Sequence, residues 1–331
     1  MITTIVHPMT WPRRLGPFLL VLGLTACDAP LDPEALSLRD EPIEIAELPG
    51  PHWSGVWPPP GGTFNTAWLG DTPLMRLMPP GAGWVPRGGD GRIDRIEVLD
   101  GDAYVPVTHV SVPQGMLVLT TEEGTYDGED VVGSRWWLED EEDQYVTITE
   151  VSDVGPAFGY QLEHHHEDLV DLVCAPSIDG DHWAYLVEDV FVDVDDGAIT
   201  PDEGPLLVAC ASGALGKAIT WGFSPWYPND DTLSLYRTGV RTVMADYCGD
   251  GSSYTEDGTL IQVSNELAGR SFVAPEQSTE AVFGPDGALC LSEPRVPSRR
   301  MVACTLSPCE EGGSLPSAKH QAWTKLAPPP P

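Results

Sequence analysis

Cys27 is the residue whose surroundings point most directly to a chemical reaction. It closes the run Leu24-Thr25-Ala26-Cys27, which follows Arg13, Arg14 and an apolar stretch from Leu15 through Gly23. A charged segment, a short apolar segment and small residues before the peptidase cleavage site are typical of an export signal. The apolar segment is too short to span a bilayer. Leu-x-Ala-Cys is the lipobox pattern, in which the Cys thiol takes up a diacylglycerol and becomes the new N-terminus.

The lipobox predicts a signal peptide over residues 1–26, lipidation of Cys27 and contact with a membrane through that lipid. The expected location is the cell envelope, at the periplasmic or the outer surface. Two other interpretations stay open. Cys27 could be an ordinary thiol just beyond a conventional signal-peptidase site, or the apolar segment could remain as an uncleaved anchor.

The run Glu163-His164-His165-His166-Glu167-Asp168 is the strongest metal candidate. On a strand, consecutive side chains point to alternate faces, so His164 and His166 could share a ligand whereas His165 could not. A His-Glu-x-x-His spacing is missing because Val170 stands where the second His would be. The run therefore predicts a solvated loop or a strand end, with no metal and no other cofactor expected.

The turn Asp193-Val194-Asp195-Asp196-Gly197 resembles a calcium loop only superficially. In the EF-hand register the first and third ligand positions would be Val192 and Val194, which carry no oxygen ligand. Weak Ca²⁺ binding by exposed acidic turns stays open for an exported protein.

The remaining cysteines support export. Setting Cys27 aside leaves an even set in the C-terminal half, which predicts up to three disulfides. Zinc is the alternative, but no Cys-x2-Cys pair occurs and the His run precedes all of these cysteines. Disulfides are the better prediction for Cys174, Cys210, Cys248, Cys290, Cys304 and Cys309.

The charge balance is strongly acidic, with 17 Lys+Arg against 51 Asp+Glu and a net charge of −34. Such a surface repels nucleic acid and anionic lipid headgroups, so nucleic-acid binding is not expected. It attracts cations and basic proteins, which are the partners that the composition allows. Solubility is the simpler explanation for the same charge. The oligomeric state does not follow from the sequence.

The order of patterns along the chain predicts a mainly β (α+β) protein. Residues 27–66 are acidic and then Pro/Gly-rich, which indicates a stalk. Residues 67–200 show period-two apolar patterns broken by turn signals, which indicates a β-rich region built as an antiparallel sandwich or barrel. Residues 306–331 are rich in Gly, Ser, Lys and Pro and are expected to be a disordered tail.

Nine runs in the β-rich region are expected to be strands. The runs contain Ile93 to Val98, Tyr104 to Val112, Met116 to Thr120, Trp136 to Leu138, Tyr145 to Val151, Phe158 to Leu162, Leu169 to Val173, Trp183 to Val187 and Val190 to Val194.

One main helix is predicted from Asp231 to about Tyr247, because apolar residues recur there at steps of three and four. Gly249-Asp250-Gly251 is expected to end it. Asp246 on this helix is the most obvious acid for catalysis. However, no partner acid or base is visible, so its carboxylate is expected to accept hydrogen bonds from the backbone around residues 249–253. Arg241 is expected to pair with an acid across the domain, in a structural role.

The helix end carries a recognisable signature, Met244-Ala245-Asp246-Tyr247-Cys248-Gly249-Asp250-Gly251. With Leu207-Val208-Ala209-Cys210, Trp221-Gly222-Phe223-Ser224-Pro225-Trp226 and Phe283-Gly284-Pro285-Asp286-Gly287-Ala288-Leu289-Cys290, it resembles the ADYC domain, a family of uncharacterised bacterial exported proteins. The clear resemblance covers residues 205–292, and a fainter one includes residues 132–136. It implies a small disulfide-bonded module over residues 201–305, centred on the motif Ala245, Asp246, Tyr247 and Cys248, and implies no known activity.

The resemblance also leads to a disulfide scheme of Cys174–Cys210, Cys248–Cys290 and Cys304–Cys309. Family members often carry two further cysteines where this chain has Ala218 and Gly239, which indicates a disulfide lost as a pair. The main helix is therefore expected to pack on residues 207–222, with Gly239 close to Ala218.

No nucleophile elbow, P-loop or dinucleotide-binding motif is present, so no catalytic residue is assigned. The first hypothesis is a lipid-anchored, non-enzymatic binding or scaffolding protein. An atypical envelope hydrolase is the second, and a Ca²⁺-stabilised adhesive domain the third. An acid-lined cleft near Asp246 or the His run would favour the hydrolase, and an exposed aromatic patch of Trp221, Phe223 and Trp226 would favour binding.

Overall fold

The structure is a computed structural model, and it describes residues 64–80, 89–139, 143–154, 157–177, 179–193, 197–226, 230–255, 259, 261–265, 268, 279–295, 302–309 and 321–326. These residues form a mainly β fold, as the sequence predicts, and they contain a short helix over residues 214–220 besides the one main helix of the prediction. Within the described ranges, no helix has the length and apolar character needed to cross a membrane. Residues 1–63, with the export signal, Cys27 and most of the expected stalk, lie outside the described residues.

Two α-helices and eighteen strands are present in the described ranges. The helices are α1 (Ala214–Thr220) and α2 (Asp230–Met244). The strands are β1 Trp68–Leu69, β2 Thr72–Pro73, β3 Arg76–Met78, β4 Asp90–Asp100, β5 Ala103–Pro106, β6 His109–Ser111, β7 Val118–Thr120, β8 Thr125–Asp127, β9 Arg135–Leu138, β10 Tyr145–Asp153, β11 Phe158–His166, β12 Leu169–Leu172, β13 Trp183–Val192, β14 Ile199–Cys210, β15 Ile261–Ser264, β16 Thr279–Gly284, β17 Gly287–Leu291 and β18 Ala322–Leu326.

The largest sheet closes on itself. Strand β10 pairs with both β9 and β11, so the hydrogen-bonded ring runs β3-β4-β9-β10-β11-β13-β14 and returns from β14 to β3. Only the β3–β4 pair in this ring is parallel. Strands β5 and β12 are attached at β4 and β11. The ring is a barrel, which is one of the two architectures, sandwich or barrel, that the period-two patterns predict for this region.

Alternating side chains on strand β14 contribute to two hydrophobic cores, one on each face of the sheet. On β14, Leu206 and Val208 belong to the core that contains Trp136 and Tyr160, whereas Leu207 and Ala209 belong to the core that contains both helices. Successive strand residues point to opposite faces, so the first core fills the ring and the second covers its outer side. Strand β14 also crosses residue 200, where the sequence analysis places the boundary between the β-rich region and the module.

A four-stranded sheet in the order β15-β18-β16-β17 packs at the end of α2. Strand β18 pairs with both β15 and β16, and its Ala322 and Thr324 are fully buried. The prediction of a disordered tail over residues 306–331 is therefore wrong for residues 322–326, and also for residues 306–309, where Cys309 is buried and disulfide-bonded to Cys290. In the short strand Ala322–Leu326, Ala322, Thr324 and Lys325 are buried, and the Gly, Ser and Pro residues before and after it led to the prediction of disorder.

The expected stalk also ends earlier than predicted. Phe64 is buried in the core shared with the helices, and Asn65 bridges distant backbone by donating to Val208 O (2.6 Å) and accepting from Cys210 N–H (3.0 Å). Residues 64–66 therefore belong to the folded body, where they hold β14 in place.

Candidate functional site

The motif that carries the family resemblance lies just beyond the end of α2. This helix ends at Met244, three residues before the predicted end, because Ala245 adopts a left-handed conformation with φ of 53°. The Asp246 N–H donates to Arg241 O (2.9 Å) and the Ala245 N–H to Thr242 O (3.3 Å). These two bonds form a Schellman cap, whose left-handed position Gly usually occupies. The prediction that Gly249-Asp250-Gly251 ends the helix is wrong.

Asp246 is fully buried, and it lies after the helix rather than on it. Its Oδ2 accepts from the Arg241 guanidinium and from Gly251 N–H (2.9 Å), and its Oδ1 accepts from Asp250 N–H (3.2 Å). Burial raises the pKa of this carboxyl, whereas Arg241 and the Gly251 N–H act in the opposite direction. The structural role predicted for Asp246 is confirmed. Arg241 pairs with an acid as predicted, but this acid is Asp246, five residues away, so the prediction of a partner across the domain is wrong.

Tyr247 joins the helix end to two residues that the sequence analysis did not identify. Its hydroxyl donates to Glu280 Oε1 (2.7 Å) and accepts from Arg295 N–H (2.7 Å). Burial raises the pKa of Tyr247, and the Glu280 charge raises it further, so the phenol stays protonated and can donate. Tyr247, Glu280 and Arg295 are all nearly inaccessible to solvent. Among the described residues, they form a buried network of hydrogen bonds and one ion pair.

Arg295 connects this network back to α2. Its Nε lies 3.1 Å from Glu280 Oε1, and its two terminal nitrogens donate to Val243 O (3.1 Å) and Thr242 O (3.0 Å). The last carbonyls of a helix lack partners within the helix and carry partial negative charge, so a guanidinium satisfies both needs. No spacing signal links Glu280 or Arg295 to the motif in the sequence, since 33 residues separate Tyr247 from Glu280.

The disulfides confirm six paired cysteines and correct two of the three predicted pairs. Cys174–Cys210 is present as predicted, but the other pairs are Cys248–Cys304 and Cys290–Cys309. The prediction of Cys248–Cys290 and Cys304–Cys309 is therefore wrong. The segment of residues 302–309 runs past both other cysteines: Cys304 N–H contacts Cys248 Sγ, and Ser307 O accepts from Leu291 N–H beside Cys290.

A tight backbone contact fixes the hairpin β16–β17 against the motif. A Cβ on Gly249 would lie 1.9 Å from Asp286 O, and Gly249 also has a positive φ of 70°. Only glycine fits such an approach. The Ala288 N–H donates to Tyr247 O (2.9 Å) in the same place. The residue of the hairpin that contacts Gly249 is therefore Asp286, in the turn. Cys290 lies four residues further along the chain, on β17, and is paired with Cys309 rather than with Cys248.

Helix α2 packs on the segment of residues 207–222 as predicted, since α1 and α2 share one core. The residue closest to Gly239 is Phe223 and not Ala218, since a Cβ added to Gly239 would lie 2.5 Å from the Phe223 side chain. Close packing thus accounts for Gly239, but Phe223 takes the place expected for Ala218.

The aromatic residues 221–226 do not form the exposed patch that would have favoured binding. Phe223 is fully buried, and the Trp226 ring lies so close to Gly115 that a Cβ there would be 2.7 Å away. Trp221 and Trp226 pack against the helical core. These side chains join the module to the barrel.

The His run lies on β11, and the predicted alternation of its side chains is present. The rings of His164 and His166 stack at 4.8 Å on one face, whereas His165 stacks on Tyr145 at 4.5 Å on the other. Residues 163–166 close β11, so the predicted strand end is confirmed, whereas a solvated loop is wrong because His164 is buried. Its Nε2 contacts Gln144 Oε1 at 3.1 Å, and His166 Nε2 contacts Asp171 Oδ2 at 2.9 Å.

Neither metal candidate gains support. In the part of the chain that the structure describes, no group of three or more His, Cys, Asp or Glu side chains is arranged to hold a metal ion. In the acidic turn, Gly197 N–H donates to Asp193 O (2.8 Å), and residues 194–196 lie outside the described residues.

These observations define a β-barrel with a disulfide-bonded module, in which Ala245, Asp246 and Tyr247 of the motif are buried and stabilise the end of α2. The family model of the ADYC domain matches residues 128–297, and the chain belongs to this family. The match begins before β9, so the family domain includes much of the barrel as well as the module. No curated protein and no solved structure matches the chain.

Proposed function

We propose that this protein is an exported lipoprotein whose Cys27 carries a lipid and whose folded body binds a partner outside the cytoplasm. The observation that carries the proposal is the set of three disulfides in the described residues, together with the Leu-x-Ala-Cys sequence at Cys27. Disulfides form and persist in oxidising compartments, so they support export.

Binding is favoured over hydrolysis because the buried carboxylates near the motif already have structural partners. Asp246 is held by Arg241 and two backbone N–H groups, and Glu280 is held by Arg295 and Tyr247. A general acid or base must reach a substrate proton. Carboxylates enclosed in ion pairs do not meet this requirement.

Labelling cells with radioactive or clickable palmitate tests the anchor. The wild-type chain should incorporate label and partition into membranes, whereas Cys27→Ala should do neither. Asp28→Ala is the matched control, since it changes the next residue but keeps the thiol, and it should be labelled like wild type. Equal labelling of wild type and Cys27→Ala would refute lipidation at this residue.

A further inference from the structure

Strand β12 is an open edge of the barrel sheet. Among the residues that the structure describes, Leu169–Leu172 pair with β11 and with no other strand. Pairing with residues 66–68 begins directly after β12, where Trp68 N–H donates to Val173 O (2.8 Å) and Cys174 lies opposite Ala67, so the unpaired edge is limited to residues 169–172. Leu169 and Val170 on this strand are 58% and 53% exposed, which places them among the most exposed large apolar side chains of the chain. Proteins usually protect strand edges, because unpaired main-chain groups beside apolar side chains invite another strand to pair.

A row of side chains crosses the outer face of the sheet and stops at this edge. Arg95, Trp137, Tyr145, His165 and Val170 lie directly opposite one another on β4, β9, β10, β11 and β12. Directly opposed residues share a face, and adjacent members of the row are in contact: Trp137 lies 4.9 Å from Tyr145, and Tyr145 lies 4.5 Å from His165. A strand added beside β12 would continue the row with a side chain against Val170.

The charges around this edge select the partner. Residues 136–216 contain no Lys or Arg, and Glu167, Asp168 and Asp171 lie in or next to β12. All three acids are exposed or nearly so. A second copy of the chain would bring the same acids together, and like charges across a strand pair are destabilising. A segment with Lys or Arg would instead find carboxylates within reach.

We propose that β12 is a docking edge for an extended segment of a partner protein in which basic residues alternate with apolar ones. The segment adds a strand to the sheet, with its main chain paired to β12, its apolar residues against Val170 and its basic residues on the opposite face, near Asp171. This inference rests on the proposed binding function and names the surface and the class of partner.

The probe is a capped octapeptide of alternating Val and Lys, added to the full chain in detergent. One control peptide replaces Lys with Glu, and another keeps Lys but carries N-methyl groups at alternate peptide bonds, which removes main-chain donors. Fluorescence anisotropy measures affinity, and hydrogen exchange of residues 169–172 locates the peptide. The variant Val170→Lys places a cation at the edge, and Leu289→Lys is its control because Leu289 is 55% exposed on β17.

The Val/Lys peptide should bind, slow the exchange of residues 169–172 and lose affinity as salt rises. Val170→Lys should weaken binding by about tenfold, while Leu289→Lys should not change it. Unchanged exchange at residues 169–172, equal binding of the N-methylated peptide, or equal loss in both Lys variants would overturn the inference. Absence of lipid on Cys27 would refute the anchor but would leave these peptide results unaffected.

Discussion

Arg241 and Asp246 are joined twice, once through the main chain and once through their side chains. The Asp246 N–H donates to Arg241 O at 2.9 Å, and the Arg241 guanidinium donates to Asp246 Oδ2. Both side chains are buried. The carboxylate also holds Asp250 and Gly251, so one residue fixes both the helix end and the turn that follows it.

Asp246→Ala should lower the free energy of unfolding by about 3–5 kcal/mol, because it leaves the Arg241 charge and two backbone donors buried without the carboxylate. Urea denaturation with the disulfides intact measures this loss. The double variant Arg241→Met/Asp246→Leu should lose less than the two single variants together, since it removes both charges.

Asp250→Asn is the control for this experiment. Asp250 is exposed, and its Oδ1 accepts only from Ser252 N–H (3.0 Å), an acceptor that Asn retains. We expect a change of less than about 0.5 kcal/mol. If Asp246→Ala lowers the free energy of unfolding no more than Asp250→Asn does, the structural role described for Asp246 is wrong.

Ala245 combines a left-handed backbone with a buried methyl group, so two opposing effects decide what Gly would do there. Ala245→Gly relieves about 1 kcal/mol of backbone strain in the folded protein. It also removes the buried methyl contacts and raises the conformational entropy of the unfolded chain, and both of these effects lower stability. The net change should be under about 1 kcal/mol. Ala245→Val adds a β-branched side chain at positive φ inside the core and should cost more than about 2 kcal/mol. Equal stability of both variants, measured by urea denaturation, would contradict this account.

Tyr247→Phe should lower the free energy of unfolding by about 1–3 kcal/mol, because it leaves Glu280 and the Arg295 N–H short of a buried partner. Tyr254→Phe is the matched control. Tyr254 lies in the same core, but its hydroxyl makes only a longer contact, 3.4 Å from Ala303 N. Thermal or urea unfolding of the two variants should show the larger loss for Tyr247→Phe, and the reverse order would show that the Tyr247 network contributes little.

The two interleaved disulfides should differ in their effect on stability. Cys248–Cys304 closes a sequence separation of 56 residues and Cys290–Cys309 one of 19. Chain-entropy arguments give about 4 kcal/mol for the first and about 3 kcal/mol for the second. Replacing each pair by Ala and comparing the unfolding midpoints tests the order. Non-reducing peptide mapping tests the pairing itself, and a Cys248–Cys290 peptide would contradict it.

Strands were predictable from the sequence where their apolar residues alternate, as on β4, β10 and β11. Strands β13 and β14 were not predicted correctly, each because of a local feature. A bulge at Asp189, with φ of 62°, splits β13 into two apolar runs that predict two strands. The first half of β14 contains Pro201, Gly204 and Pro205 and indicates a turn, yet it pairs with β13 because the tertiary contacts override local preference.

The site was predictable only as far as local sequence reaches. The role of Asp246 follows from its distance to the turn of residues 249–251, and that prediction is confirmed. Glu280, Arg295 and the partners of Cys248 and Cys290 come from distant segments, and local patterns contain no information about which segments meet. The disulfide pairing of this module is set by the path of residues 302–309.

His164 should make the protein lose stability in mild acid. Burial and, to a smaller extent, the neighbouring His166 lower the pKa of His164 from 6.5 to about 4. Between these pH values the unfolded chain binds a proton that the folded chain does not bind, so the contribution of His164 is fully present above pH 6.5 and is lost as pH falls toward 4. His164→Phe keeps an aromatic ring and removes the titration. Urea midpoints from pH 7.5 to 4.5 should therefore fall less steeply for His164→Phe than for wild type, whereas His109→Phe, at an exposed site, should follow wild type. Parallel pH dependence of wild type and His164→Phe would show that His164 takes up its proton in the folded state as readily as in the unfolded chain.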